Sequence, residues 1–203
     1  FTFLSNCADI MIKQVVSFLF FYMLYINHVF TQDPYPINES IDVQDYIFSI
    51  SLNDKSNKIE GNAVLIVNFK EEVETFALDL IGKSENYGMV LLRVLEGNEP
   101  ASFTFTNEKI IINPASKIPG VKTFTIQYKG IPEKGLVIDT TKFGQRSFFG
   151  DNWPNLARHW LPCIDHPYDK AGIEFRITAP DHYDVVATGK KIEESYLGDG
   201  YKL

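Results

Sequence analysis

The densest set of chemically capable side chains in this 203-residue sequence lies between Phe148 and Ala171, FFGDNWPNLARHWLPCIDHPYDKA. His159, Cys163, Asp165 and His166 all carry metal-ligating groups, and Cys163 is also a candidate nucleophile. Their spacing, H-x-x-x-C-x-D-H, matches none of the common zinc patterns, and Pro162 interrupts any helix that would align His159 with Cys163. No activating partner for the Cys163 thiol is identifiable, so it reads as a small buried apolar group between Pro162 and Ile164. Arg158 and Asp165 read as partners of each other or of the backbone, fixing a bend, because isolated buried charges demand partners. The expectation is therefore no catalytic residue and no metal ligand within the chain.

The same stretch holds both tryptophans and three prolines. Each proline fixes its own backbone and restricts the residue before it, so Trp153-Pro154, Leu161-Pro162 and His166-Pro167 predict a bent, largely extended path. Such rigidity either shapes a surface or joins two packed layers.

The elements that must position this stretch are strands. Aromatic residues make up 14% of the chain, and Phe, Tyr, Ile, Val and Thr recur in short runs, which favours β-structure. Tyr46, Phe48 and Ile50 alternate with Ile47, Ser49 and Ser51, the turn composition Asn53 to Asn57 follows, and Ile59 to Phe69 completes an antiparallel hairpin. Further strands are expected at 75–81, 87–95, 102–106, 109–112, 122–128, 172–178 and 183–188, with a last turn at Gly198-Asp199-Gly200. Within 172–178, Ile173, Phe175 and Ile177 should share one face. No window carries a capped helical stripe. The pattern predicts an all-β, antiparallel sandwich over residues 43–203, incomplete at its C-terminal end.

The net charge of −7 is spread along the chain, which excludes a nucleic-acid partner that would need a basic face. Met11-Ile-Lys-Gln followed by the apolar run Val15 to Ile26 has the grammar of a signal peptide over 11–31, too short to span a bilayer comfortably. Residues 1–10 then precede the start as upstream sequence, 32–42 form a linker, and the protein is expected to be secreted or periplasmic. An uncleaved membrane anchor is the alternative. Removal of the leader would take Cys7 with it, leaving Cys163 with no disulfide partner. Asn38-Glu-Ser is a formal glycosylation acceptor and by itself argues little.

Ala157-Arg158-His-Trp-Leu-Pro162-Cys163-Ile-Asp165-His-Pro167-Tyr-Asp-Lys170-Ala171 resembles the AR-x-x-x-PC-x-D-x-P-x-x-KA pattern of the aminopeptidase N type of zinc metallopeptidases. This gluzincin family includes the leukotriene-hydrolase-like enzymes. The Y-x-x-x-I-x-L-x-D cadence from Tyr46, ending in Gly61, looks like its opening hairpin. Phe124 to Leu136 looks like its I-x-Y-x-G and GL elements. The resemblance runs from about Val43 to the end.

It implies a saddle-shaped N-terminal β-domain whose partner is a catalytic domain carrying HExxH, a distal Glu and a G-x-M-E-N loop. Neither HExxH nor G-x-M-E-N occurs in these 203 residues, so zinc and the hydrolysis of peptide substrates are expected in that other domain. Arg158, Pro162, Cys163, Asp165, Pro167 and Lys170 are then structural motif residues. By the same resemblance, the segment before the motif lends a Gln or Glu to the substrate pocket, at positions held here by Asp151 and Trp153. Asp151 would receive a cationic amine and Trp153 would form an apolar wall, or else Asp151 is a turn residue and Trp153 is core. A free-standing secreted β-sandwich that binds a partner is the competing expectation.

Overall fold

The computed structural model describes residues 13–18 and 35–203. Residues 13–18 form a short helical run; the rest of the expected leader, residues 1–10 and the first linker residues lie outside the described residues. Among the described residues no helix is long and apolar enough to cross a membrane.

The unit from Ile37 to Leu203 is built of strands. They are β1 (Ile41–Ser51), β2 (Ile59–Phe69), β3 (Phe76–Asp79), β4 (Gly88–Glu96), β5 (Glu99–Pro100), β6 (Ser102–Phe105) and β7 (Lys109–Asn113). After these come β8 (Gly120–Ile131), β9 (Leu136–Thr140), β10 (Arg146–Gly150), β11 (Gly172–Pro180), β12 (Tyr196–Gly198) and β13 (Tyr201–Lys202). An eight-stranded sheet runs β12-β13-β11-β1-β2-β8-β4-β5, a three-stranded sheet runs β3-β7-β6, and β9 and β10 pair alone. β1 begins at Ile41, so the last two residues of the expected linker already belong to the sheet.

The core lies between the two larger sheets. Along β2, Ile59, Ala63, Leu65, Val67 and Phe69 all point inward and are buried, a strict alternation that only a sheet with one packed face requires. In β1 the phase is kept by a bulge between Val43 and Asp45, which lets Val43 and Tyr46 both face inward although three residues apart. Phe76 of β3 packs edge-on against Phe69 of β2 and Phe124 of β8, at centroid distances of 5.8 and 4.9 Å. Those contacts join the layers into the expected sandwich.

The sheet is antiparallel except at one seam. β11 returns after about 120 residues to lie parallel to β1, with Phe48 opposite Phe175. Phe175 stacks on Phe48 and on Trp160, while Ile173, expected on the same face, is exposed.

Two expectations are corrected. Residues 183–188 form no strand, because β13 already pairs with the end of β11 (Ala179 with Lys202, Pro180 with Tyr201), and Val186 is left exposed. The 153–161 segment is not extended either. It coils through turns into a 3-10 turn at Ala157–His159, where the Ala157 carbonyl accepts from the Trp160 and Leu161 amides.

Gly61 shows how close the packing is. It lies opposite Tyr128 of β8, and a Cβ there would stand 2.2 Å from the Tyr128 ring. Tyr128 is fully buried and has no room to retreat. Gly61→Ala is therefore expected to lower stability by roughly 1–3 kcal/mol, the usual cost of overpacking. An unchanged urea midpoint would show that the ring yields.

Candidate functional site

The motif stretch is folded around a carboxylate outside it. Asp79, the last residue of β3, has no exposed surface. It is paired with residue 163 as an antiparallel bridge: the Asp79 amide donates to the Cys163 carbonyl at 2.7 Å and the Cys163 amide returns the bond at 3.2 Å. One carboxylate oxygen accepts from Lys109 Nζ at 2.9 Å, and the other accepts from the Asp165 amide at 3.0 Å with the Arg158 guanidinium 3.8 Å away. Arg158 then donates from its backbone amide and its Nε to the Asp165 carboxylate at 3.1 and 3.0 Å, and its carbonyl accepts from the Ile81 amide. Charge is thus balanced inside a knot that joins β3, β7 and the 158–165 segment, which is the condition under which ions tolerate burial.

A second tie runs to the large sheet. The Tyr46 hydroxyl accepts from the Ile164 amide and donates to Asp169 Oδ2, both at 3.1 Å. Burial pushes the Asp169 carboxyl above its ordinary range, partly offset by the Tyr46 hydrogen bond. Burial, with Asp165 and Asp79 nearby, pushes the Cys163 thiol well above its ordinary range, so this sulfur is an unreactive packing group. Pro162 is buried beside it, whereas Pro167 and Lys170 lie at the surface. Arg158, Pro162, Cys163 and Asp165 therefore converge, and Pro167 and Lys170 do not.

The four side chains that suggested metal chemistry do not converge on one point. Asp165 is held by Arg158, and His166 Nδ1 accepts from the Tyr168 amide at 3.2 Å. His159 Nδ1 is buried without a hydrogen-bond partner, 3.7 Å from Glu133, and both residues line an open cavity of about 570 Å³ with Ile81, Lys134 and Leu156. Burial holds the His159 imidazole below the ordinary histidine range, with Glu133 opposing the shift. Among the described residues no group of three or more His, Cys, Asp or Glu is placed to hold a metal.

Immediately ahead of the knot the chain behaves differently. The Asp151 amide donates to the Gly135 carbonyl at 2.7 Å, and Asn152 Oδ1 accepts from Trp160 Nε1 at 2.9 Å, which pins the backbone of this loop. Gly135 takes φ +76°, and a Cβ on it would strike the Leu156 carbonyl, so only glycine lets the loop approach so closely. The Asp151 and Trp153 side chains nevertheless stand in solvent, Trp153 with 83% of its surface accessible. Of the two expectations for Trp153, the core placement is excluded. Val137 and Phe149, opposite each other on β9 and β10, are exposed as well.

The sequence pattern does not mark Asp79 and Tyr46 as partners of the motif. An acid at the end of an apolar strand, Phe-Ala-Leu-Asp-Leu, is the one available signal.

A family model described as the peptidase M1 N-terminal domain matches residues 42–203. No curated protein matches the chain. Among solved structures, an M1 zinc metallopeptidase from Deinococcus radiodurans superposes with a TM-score of 0.67 at 23% identity, covering 81% of this chain and 38% of that one. LTA4 hydrolase from yeast superposes with a TM-score of 0.67 at 19% identity, covering 85% of this chain and 28% of that one. The chain thus spans little more than a third of these proteins at most, and the likeness is one of fold.

Two outcomes test the geometry. Asp79→Asn leaves Lys109 and Arg158 facing a neutral amide and is expected to cost about 3–5 kcal/mol in chemical unfolding, as for other broken buried pairs; a cost near zero would contradict the knot. Asp169 has a raised pKa, so its contribution to stability is greatest below the ordinary carboxylate range and is lost as pH rises through the folded value. Asp169→Asn keeps an acceptor for Tyr46 and should therefore gain stability relative to the parent chain on going from pH 4 to pH 7. A relative loss over that interval would reverse the sign.

Proposed function

The chain belongs to the peptidase M1 family through its N-terminal domain, and on that premise we propose that it is the non-catalytic β-domain of a secreted or periplasmic zinc aminopeptidase. It packs on a catalytic domain and borders the cleft that receives peptide N-termini. The observation that carries this reading is the contrast along one segment. Trp160 to Asp165 is buried and Arg158 is bonded to Asp165, while Asp151 and Trp153, a few residues earlier, stand exposed in a loop pinned through the Asp151 amide and Asn152.

Rigid backbone with free polar and aromatic tips is what a substrate-bordering loop needs, since ordering costs are met before binding. In this role Asp151 accepts from the cationic α-amine of the peptide, and Trp153 walls the first side chain. Zinc held by ligands of the catalytic domain would supply the Lewis-acid chemistry of hydrolysis. His159, Cys163, Asp165 and His166 do not fit as those ligands: among the described residues no three such groups converge, Asp165 and His166 accept hydrogen bonds elsewhere, and the Cys163 thiol is buried. The leader over 11–31 supports export.

The chain alone, with zinc added, is expected to hydrolyse no aminoacyl amide, and zinc-dependent activity would overturn the assignment of catalysis to another domain. In a longer chain that includes the catalytic domain, Trp153→Ala is expected to raise KM for peptides with a large apolar first residue by roughly tenfold, about 1.4 kcal/mol, with kcat little changed. An unaltered KM would remove Trp153 from the cleft.

A further inference from the structure

The β9–β10 hairpin is hydrogen-bonded to neither larger sheet, and an isolated two-stranded ribbon is marginal in water. Its base is fixed by the bond from Asp151 to Gly135. Its far end is fixed by Arg146, the first residue of β10, opposite Thr140. One terminal nitrogen of Arg146 donates to the Ser56 carbonyl and to Asn57 Oδ1, both at 2.7 Å, in the loop between β1 and β2. The same guanidinium lies over the Phe148 ring at 5.2 Å, and Phe148 packs edge-on against Tyr183 at 5.3 Å. Tyr183 closes the circuit by donating to Asp54 Oδ1 at 2.5 Å, in that same β1–β2 loop. His182 stacks beside Tyr183 at 4.3 Å, with its Nε2 3.6 Å from Asp54.

We infer that Arg146 is a positioning residue: it clasps the hairpin to the β1–β2 loop, and so sets the direction of the exposed Val137–Phe149 face and of the Asp151–Trp153 segment that continues from it. The role of that segment rests on the function proposed above; the clasp does not. The chemistry requires arginine. A planar guanidinium donates in two directions while stacking on a ring, whereas a lysine ammonium supplies a point charge without the flat face. Arg146 thus donates to a backbone carbonyl and a side-chain amide of the β1–β2 loop while lying over a ring of its own strand.

Amide hydrogen exchange on the whole chain tests the clasp directly. Arg146→Ala is expected to speed exchange of the β9 and β10 amides by roughly tenfold or more while leaving those of β2 and β8 unchanged, since local opening is then uncoupled from global unfolding. Arg146→Lys should fail to restore protection, and Asn57→Ala, which removes one of the two acceptors, should fall between. Fluorine spectra of chain labelled with fluorotryptophan add a signature: the Trp153 resonance should shift or broaden in Arg146→Ala while that of Trp160 stays in place. Unchanged exchange of the β9 and β10 amides in Arg146→Ala, or full protection of them in Arg146→Lys, would overturn the assignment. Should exchange accelerate while KM of the longer chain is unmoved, the clasp stands and the cleft-bordering role of Asp151 and Trp153 falls.

Discussion

Everything in the motif region depends on one buried carboxylate. Asp79 ends a strand of the smaller sheet, yet its acceptors are filled from β7 by Lys109 and from the motif by the Asp165 amide, with Arg158 close by. A charge taken out of water at that depth is tolerable only while those partners remain in place. The cation at position 158 is in turn balanced by Asp165, so neither half of the arrangement is stable without the other. The knot fixes where the chain leaves the small sheet and where it re-enters the large one beside β1.

That placement explains how a stretch rich in histidine, cysteine and acids is held in the fold. Cys163 sits in a backbone bridge with Asp79, its thiol pushed up by burial and by two neighbouring carboxylates. Asp165 is occupied by the arginine, and the Ile164 amide is held by Tyr46 across the layer. The rigidity supplied by Pro162 and the 3-10 turn is spent on joining layers. Upstream, the same rigidity holds a loop from which the Asp151 and Trp153 side chains stand in solvent.

Much of this is legible in the residues. The strict alternation of β2 and the phase of β1 announce a sheet with one packed face, and the Arg158–Asp165 pair follows from two charges flanking an apolar Pro-Cys-Ile run. Asp79 is not legible, because alternation with Phe76 and Leu78 assigns it to the outer face of β3. That face is covered only because the motif folds back over it. The parallel seam between β1 and β11 joins segments too far apart in sequence for local pattern to reveal. The β9–β10 hairpin is hidden for a different reason. Its apolar residues Val137 and Phe149 face solvent, so its pattern does not mark a buried face. Trp153 likewise departs from the usual burial of tryptophan.

Arg158 and Asp165 act as one structural unit rather than as separate surface residues. A double-mutant cycle of Arg158→Met and Asp165→Asn, read by chemical unfolding of the whole chain, tests it most directly. The pair of substitutions should cost less than the sum of the singles, by about 1–3 kcal/mol of coupling. Additivity to within about 0.5 kcal/mol would contradict it, because residues that do not share partners behave that way.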